Sequence, residues 1–328
     1  MIGLFNICNL RKNYAIELDK ILRPKKNPRY VVLDLYSGAG GLSLGLEAAG
    51  FKVTGIDNDL NCCTTYNSNL KGTCINEFIT TKYDFPDADM VVGGPPCQPF
   101  SVRGKQLGVK DERNGIPAFI AAIKKIMPRM WVFENVRGMM YRNNDYFATS
   151  MRRLKKLGYF VDVSIANCSD YGVPQNRERV IAVGHHGEYV SPPRLEMQVT
   201  AGEALRYIPR KDKERPSYLT PEMDRYISAY ERASQCRRPR DLDRGKPART
   251  LTCRNLGGRS SDMHRICIRN KRRVLFVREA ARLQGFPDWF KFTGSRYSQM
   301  KQIGNALPPL FALILGTQIR RFMESSNK

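Results

Sequence analysis

Val31-Val32-Leu33-Asp34-Leu35-Tyr36-Ser37-Gly38-Ala39-Gly40-Gly41-Leu42-Ser43-Leu44-Gly45-Leu46 is the stretch whose reading decides the fold. A short, nearly continuous apolar run enters a cluster of glycines and leaves as an apolar helical pattern that Gly50 stops. That order predicts a strand, a tight turn and a helix. Glycines let the backbone turn sharply and let a ligand approach it closely. The dinucleotide fingerprint Gly-x-Gly-x-x-Gly is incomplete, because Ser43 holds its third position. Asp57 ends the next apolar run, where a carboxylate can take ribose hydroxyls. The segment suits any adenosine-bearing cofactor, and a turn without a ligand is equally compatible with it.

Working outward, short apolar runs recur at residues 90–93, 130–133, 160–166 and 180–183, each expected as a strand buried on both faces. Helical patterns lie between them at residues 119–127, led by Pro117, and 146–157, stopped by Gly158. Strand alternating with helix predicts an α/β fold with an open, mostly parallel sheet covered on both sides. Residues 1–29 form a basic lead-in with a short helix expected over residues 14–22. After Gly184 the alternation fails. Residues 206–282 hold 22 Lys and Arg against 9 Asp and Glu, a net +13 of the chain's +23, and predict a small basic domain with little regular helix. An apolar helix returns over residues 307–322.

The charge points to a polyanionic partner. Lys and Arg number 54 against 31 Asp and Glu in 328 residues, an excess that suits nucleic acid better than a merely solvated basic surface. Nine cysteines and three histidines include no Cys-x-x-Cys pair, so neither a zinc site nor any other metal is expected. Disulfide scaffolds serve small secreted domains, so the thiols read as reduced and the compartment as cytoplasmic. No signal pattern and no apolar run long enough to span a bilayer is visible, and no membrane partner is expected.

Three further segments carry chemistry. In Gly93-Gly94-Pro95-Pro96-Cys97-Gln98-Pro99-Phe100-Ser101, two prolines fix the backbone before a cysteine and polar residues follow it. That setting argues for a displayed thiol, whereas a lone cysteine is more often a small buried hydrophobe. In Phe133-Glu134-Asn135-Val136, an acid ends an apolar strand and is a candidate proton donor; a capping or ion-paired glutamate is the plainer alternative. In Gln175-Asn176-Arg177-Glu178-Arg179, alternate residues of a strand share one side. Gln175, Arg177 and Arg179 then form a row of donors suited to a pyrimidine carbonyl or a phosphate, or a salt-bridged edge strand.

These segments, in this order, resemble the cytosine-5 DNA methyltransferase family of restriction-modification type. So do Arg278-Glu279-Ala280-Ala281-Arg282-Leu283-Gln284-Gly285-Phe286-Pro287 and Gln302-Ile303-Gly304-Asn305-Ala306-Leu307-Pro308-Pro309. The resemblance runs from about Val31 to the C-terminal helix. It implies a Rossmann-like methyltransferase sheet that uses S-adenosyl-L-methionine, with a smaller basic target-recognition domain. The expected division is the lead-in 1–29, a catalytic and cofactor-binding domain 30–195, a recognition domain 196–283 and a C-terminal return 284–328.

The resemblance also assigns roles. Cys97 attacks C6 of a flipped-out cytosine, Glu134 protonates N3, and Arg177 and Arg179 hold the base oxygen. Tyr36 lies against the adenine, Gly38 and Gly40 near the methionine part, and Asp57 takes the ribose. Pro96 and Asn305 help close the pocket. Asn76 stands where the family carries an aspartate for the adenine amino group, and its side-chain oxygen can still accept that bond. Ser101 and Arg103 begin a glycine- and base-rich segment, residues 101–115, expected to close over double-stranded DNA. Gln175 is a further DNA contact. Among the arginines of the basic domain, Arg254 and Arg259 are the candidate base readers, because they flank Asn255-Leu256-Gly257-Gly258 just after Thr250-Leu251-Thr252. A monomer, acting apart from any cognate endonuclease, completes the expectation. The competing readings are an RNA cytosine-5 methyltransferase acting on tRNA and a DNA-binding relative without activity.

Overall fold

The computed structural model describes residues 7–96, 114–141, 143–195, 198–208, 214–233, 241–257, 262–269 and 271–325. Cys97, Ser101, Arg103 and Arg259 lie outside them. Two short helices, α1 (Ile7–Lys12) and α2 (Tyr14–Ile21), lead into β1 (Tyr30–Leu35), α3 (Gly41–Ala49), β2 (Phe51–Asp57), α4 (Leu60–Asn69), β3 (Cys74–Asn76) and β4 (Met90–Gly93). Then come α5 (Ile116–Ile126), β5 (Met130–Val136), α6 (Asn144–Lys155), β6 (Phe160–Asn167), β7 (Gln175–Asn176) and β8 (Glu178–His185). The basic region contributes α7 (Ala201–Ala204), α8 (Pro221–Ala233), β9 (Ala248–Arg249), α9 (Cys253–Gly257), β10 (Arg265–Ile268) and β11 (Lys271–Val274). The chain ends with α10 (Val277–Leu283), α11 (Arg296–Asn305) and α12 (Pro309–Ser325).

Seven strands form one sheet in the order β3-β2-β1-β4-β5-β8-β6. The five from β3 to β5 run parallel, and β8 is antiparallel to both β5 and β6. Both faces are covered, as the continuous apolar runs require. On one face Leu44, Leu46, Phe51 and Val53 join a core with Phe286, Phe290, Phe311 and Leu315 from the C-terminal helices. On the other, Phe119 of α5 stands edge-on to Trp131 and Phe133 of β5, with ring centroids 6.3 and 5.6 Å apart. The chain therefore crosses to its basic region and returns to complete its own first core.

Two expectations need correction. The run at residues 160–166 becomes β6, but it is the sheet's edge and most of its side chains are exposed rather than buried on both faces. The basic region also contains a regular 13-residue helix, α8, where little helix was expected. Its only fully buried residue is Ile227, so an apolar period was hardly visible. Its inner face is ionic instead: Asp224 and Ser228 take Arg272 at 3.0 and 3.1 Å, and Glu231 takes Arg265 at 2.8 Å. Polar α4 was hidden in the sequence because its buried face is only Cys62, Cys63, Thr65 and Tyr66. Its start is secured by Asp59, which accepts from the backbone N–H of Asn61 and Cys62.

Among the described residues, no helix is long and apolar enough to cross a membrane, and no cluster of three or more His, Cys, Asp or Glu could hold a metal ion.

Candidate active site

The first half of the site lies at the C-terminal ends of β1, β2 and β3, beside the point where strand order reverses between β1 and β4. Open α/β sheets bind ligands in that crevice. After β1 the chain takes a left-handed conformation at Tyr36 (φ 61°), Gly38 (φ 55°) and Gly40 (φ 87°). Gly40 needs to be glycine twice over, since a Cβ there would also lie 2.8 Å from the Tyr66 ring. Gly38 donates its N–H to Asp57 Oδ2 at 2.8 Å, and Asp59 donates to Asp57 Oδ1 at 2.9 Å. Burial pushes the Asp57 carboxyl up, and these two N–H donors oppose it. Asn76 is the register partner of Asp57 and donates its side-chain amide to the Asp57 carbonyl at 3.1 Å. The structure thus brings Tyr36, Gly38, Gly40, Asp57 and Asn76 onto one rim.

Beneath the rim, Asp34 is fully buried and accepts from Ser43 Oγ at 2.6 Å. Burial pushes its pKa up to about 7, against the Ser43 hydrogen bond and with the Asp57 and Glu134 charges adding to the rise. The serine that broke the dinucleotide pattern is therefore a partner of this carboxyl.

The second half lies at the ends of β4 and β5. Glu134 Oε1 sits 2.9 Å from Arg179 Nε, with the side chains only 16% and 10% exposed. The Glu134 carboxylate lies over Gly94, where a Cβ would come within 2.8 Å of Oε2. Asn135 is buried and donates to the Pro95 carbonyl at 3.0 Å, which pins the two prolines to β5. Pro96 O accepts from Gly115 N at 3.4 Å, and Tyr36 Oη donates to Gly115 O at 3.1 Å. The two ends of the segment that carries Cys97 therefore meet beside Tyr36.

The donor row on residues 175–179 divides. Arg179 reaches Glu134 as just described. Gln175 does not face DNA: it is fully buried, with Nε2 on Leu283 O (3.2 Å) and Gln284 Oε1 (2.6 Å) and with Oε1 accepting from Leu251 N (2.9 Å). Arg177 is likewise removed from the base contact expected of it. It is 1% exposed, and its guanidinium donates to the carbonyls of Leu251 (2.8 Å), Gly304 (3.0 Å) and Ala306 (3.0 Å). Alternation places Gln175 and Arg177 on a common side, but that side meets the basic region and the C-terminal return, whose buried carbonyls need donors. Asn305, between two of those carbonyls, has an exposed side chain.

The arginines of the basic region divide too. Arg254 is exposed on α9. Arg265 is fully buried between Asp241 (2.7 Å) and Glu231 (2.8 Å), and half-buried Arg249 holds Asp262 at 2.9 Å, so both are engaged within the protein. Sequence reasoning also missed the buried Arg273–Glu279 pair and the bidentate Arg282–Asp288 pair, which secure the start and end of α10. Glu279 and Arg282 were noticed only as part of a family segment.

The family model described as C-5 cytosine-specific DNA methylase matches residues 30–321. The chain is 44% identical to Type II methyltransferase M.AplI of Arthrospira platensis over 299 residues, which span 90% of this chain and 87% of the relative. It is 32% identical to Type II methyltransferase M1.HphI of Haemophilus parahaemolyticus, over 85% of this chain and 84% of that one. The S. pombe Dnmt2 methyltransferase structure superposes with a TM-score of 0.68 at 19% identity, over 92% of this chain and 100% of its own, a likeness of fold. With its sheet, its rim and its Glu134–Arg179 pair in that frame, the chain belongs to the C-5 cytosine-specific DNA methylase family.

Proposed function

We propose that this DNA methyltransferase moves a methyl group from S-adenosyl-L-methionine to C5 of a flipped-out cytosine in a specific duplex sequence, through a covalent bond between Cys97 and C6. The observation that carries the reading is the Glu134–Arg179 pair, packed over Gly94 three residues before Cys97, at the strand ends next to an adenosine-compatible rim. The rim's residues fit the cofactor. Nothing lies within 4 Å of where a Gly38 Cβ would stand, so the turn is open to a close neighbour. Asp57 keeps acceptor capacity beyond its two N–H donors, and with its amide nitrogen engaged Asn76 presents an oxygen. Asp57 would hold the ribose, Asn76 the adenine amino group and Tyr36 the adenine ring, while Gly38, Gly40, Pro96 and Asn305 would enclose the remainder. The bound cofactor supplies an electrophilic methyl group.

The chain's own groups do the rest. The base must leave the stack, because C6 cannot be reached inside the duplex. Cys97 Sγ, as thiolate, bonds to C6 while Glu134 gives a proton to N3, so negative charge does not build up on the ring. A free thiol has a pKa of roughly 8.5, so thiolate formation at neutral pH needs local help. Arg179 orients the Glu134 carboxylate and faces the base oxygen. Once C5 carries the methyl group, its proton leaves to a base, the S–C6 bond breaks, and N3 returns its proton. Ser101, Arg103, Arg254 and Arg259 contact the duplex, with residues 196–283 as the recognition domain. The enzyme acts as a monomer and apart from any endonuclease.

The test is methyl incorporation from labelled cofactor into plasmid duplex DNA and, separately, into tRNA. Label in duplex cytosine at C5 is expected. Label confined to tRNA would overturn the DNA reading, and label in neither would overturn the enzymatic one.

A further inference from the structure

Arg177 has no carboxylate partner among the described residues. Burial, and then the Arg179 charge, lower its pKa below the usual arginine range. Placing a cation there is expensive, and what it holds explains the placement. Its planar fork reaches two stretches far apart in sequence: Leu251, which follows Thr250 in the basic region, and Gly304 and Ala306, the two residues flanking Asn305. Gln175 holds the other side of Leu251 through its N–H. Gln284 links Gln175 onward to the Ala306 carbonyl at 2.5 Å. Thr250 Oγ1 donates to Asn176 O at 2.6 Å, and β9 pairs with β7 immediately before it. The two stretches also touch directly, since a Cβ on Gly304 would lie 2.4 Å from Cys253 N. Arg254 is the next residue along.

We propose that Arg177 is a positioning residue that locks residues 250–254 to the Gly304–Ala306 turn, so that duplex binding and cofactor binding strengthen each other. The proposal rests on the methyl-transfer reading, which puts Asn305 at the cofactor and Arg254 at the duplex. Neither stretch can shift alone without leaving a buried carbonyl unpaired, and a ligand that settles one therefore settles the other. Coupling of this kind is reciprocal: each ligand raises affinity for the other by the same factor.

The test compares the full-length wild type with Arg177→Lys, which keeps the charge but cannot span both stretches. Calorimetry gives the affinity for S-adenosylhomocysteine with and without sheared chromosomal duplex DNA, and hydrogen exchange follows residues 250–256 and 302–307. In the wild type, DNA is expected to tighten S-adenosylhomocysteine binding about fivefold or more and to slow exchange at residues 302–307. In Arg177→Lys the factor should fall below about twofold, with KM raised for S-adenosyl-L-methionine and for duplex DNA and kcat lowered less. A variant that keeps the wild-type factor, or a wild type with no factor at all, would overturn the proposal. Should Arg177→Lys not fold, Gln175→Leu is judged by the same factor. Failure of the methyl-transfer reading looks different, because the wild type would then transfer no methyl group to duplex DNA, whatever its affinity for S-adenosylhomocysteine.

Discussion

Replacing Glu134 by Gln preserves the side chain's size and removes the carboxyl group, which pairs with Arg179 when ionised and carries the proton for N3 when protonated. Two losses follow, and the structure separates them. The first is electrostatic. Arg179 is only 10% exposed and Glu134 is its carboxylate partner at 2.9 Å. Removing one member of a buried pair costs about 3–5 kcal/mol, and the amide oxygen that Gln keeps as an acceptor argues for the lower end, about 3 kcal/mol. The second loss is chemical. A missing general acid slows the step by roughly two to four orders of magnitude, equivalent to about 2.7–5.5 kcal/mol of barrier. Thermal melting reads the first, and single-turnover methyl transfer on saturating duplex DNA, below the variant's melting range, reads the second. Duplex affinity and cofactor affinity should stay close to wild type, because neither ligand is held chiefly by Glu134. A folded Glu134→Gln protein with turnover within about threefold of wild type would show that the pair is structural and would refute the assignment.

Three other substitutions test the architecture of the site and of the basic region. Because burial raises the Asp34 carboxyl to about 7 in the fold, the native state holds a proton there that the unfolded chain releases near the ordinary aspartate value. Its contribution is present below that value and is lost as pH rises toward about 7, so wild-type stability should fall relative to Asp34→Asn across roughly pH 4 to 7, by at most about 1.4 kcal/mol per pH unit. Denaturant titrations at several pH values check this, and parallel curves would mean that Asp34 is not protonated in the fold. In the basic region, Arg254→Ala should weaken duplex binding with little change in melting, and if Arg254 touches phosphate its salt dependence should flatten by about 0.9 in log–log slope. If it reads a guanine instead, the loss should be about 1–3 kcal/mol on the cognate site alone. Arg265→Ala should do the opposite and cost about 3 kcal/mol of stability, because it takes a fully buried cation from Asp241 and Glu231 and leaves the two carboxylates to share Arg272. Binding and melting measured on both variants would contradict this division if Arg265→Ala left melting unchanged.

The centre of the sheet was legible because β1, β4 and β5 are nearly continuous apolar runs and the turns around α3 are marked by Gly38, Gly40 and Gly50, so period and punctuation agree. Of the rim, Asp57 was legible as the end of an apolar run, whereas the three-residue β3 was too short to show as one and Asn76 came only from the family resemblance. Burial of charge was not legible. Arg177, Arg265, Arg273 and Arg282 are all nearly or wholly buried, and nothing local distinguishes them from exposed Arg254. Arg177 and Arg265 find their partners far along the chain, Leu251 and Ala306 for the first and Asp241 and Glu231 for the second, while Arg273 and Arg282 take Glu279 and Asp288 six residues on, across the ends of a short helix. Helix α8 was hidden for the same cause, since its inner face is made of charges matched by another segment. A count of net charge in the basic region thus overstates what is free to meet phosphate.

The central claim is that Cys97 forms a bond to C6 during methyl transfer. It is tested most directly with duplex DNA synthesised with 5-fluorocytosine in place of cytosine, incubated with the enzyme and S-adenosyl-L-methionine. Fluorine at C5 cannot leave as a proton does, so elimination stalls. The wild type should then run as a DNA adduct that survives denaturing electrophoresis, with the bond mapping to Cys97, while Cys97→Ala should bind cofactor yet form no adduct and transfer no methyl group. A wild-type enzyme that methylates ordinary duplex DNA but forms no adduct with the fluorinated duplex would contradict the account.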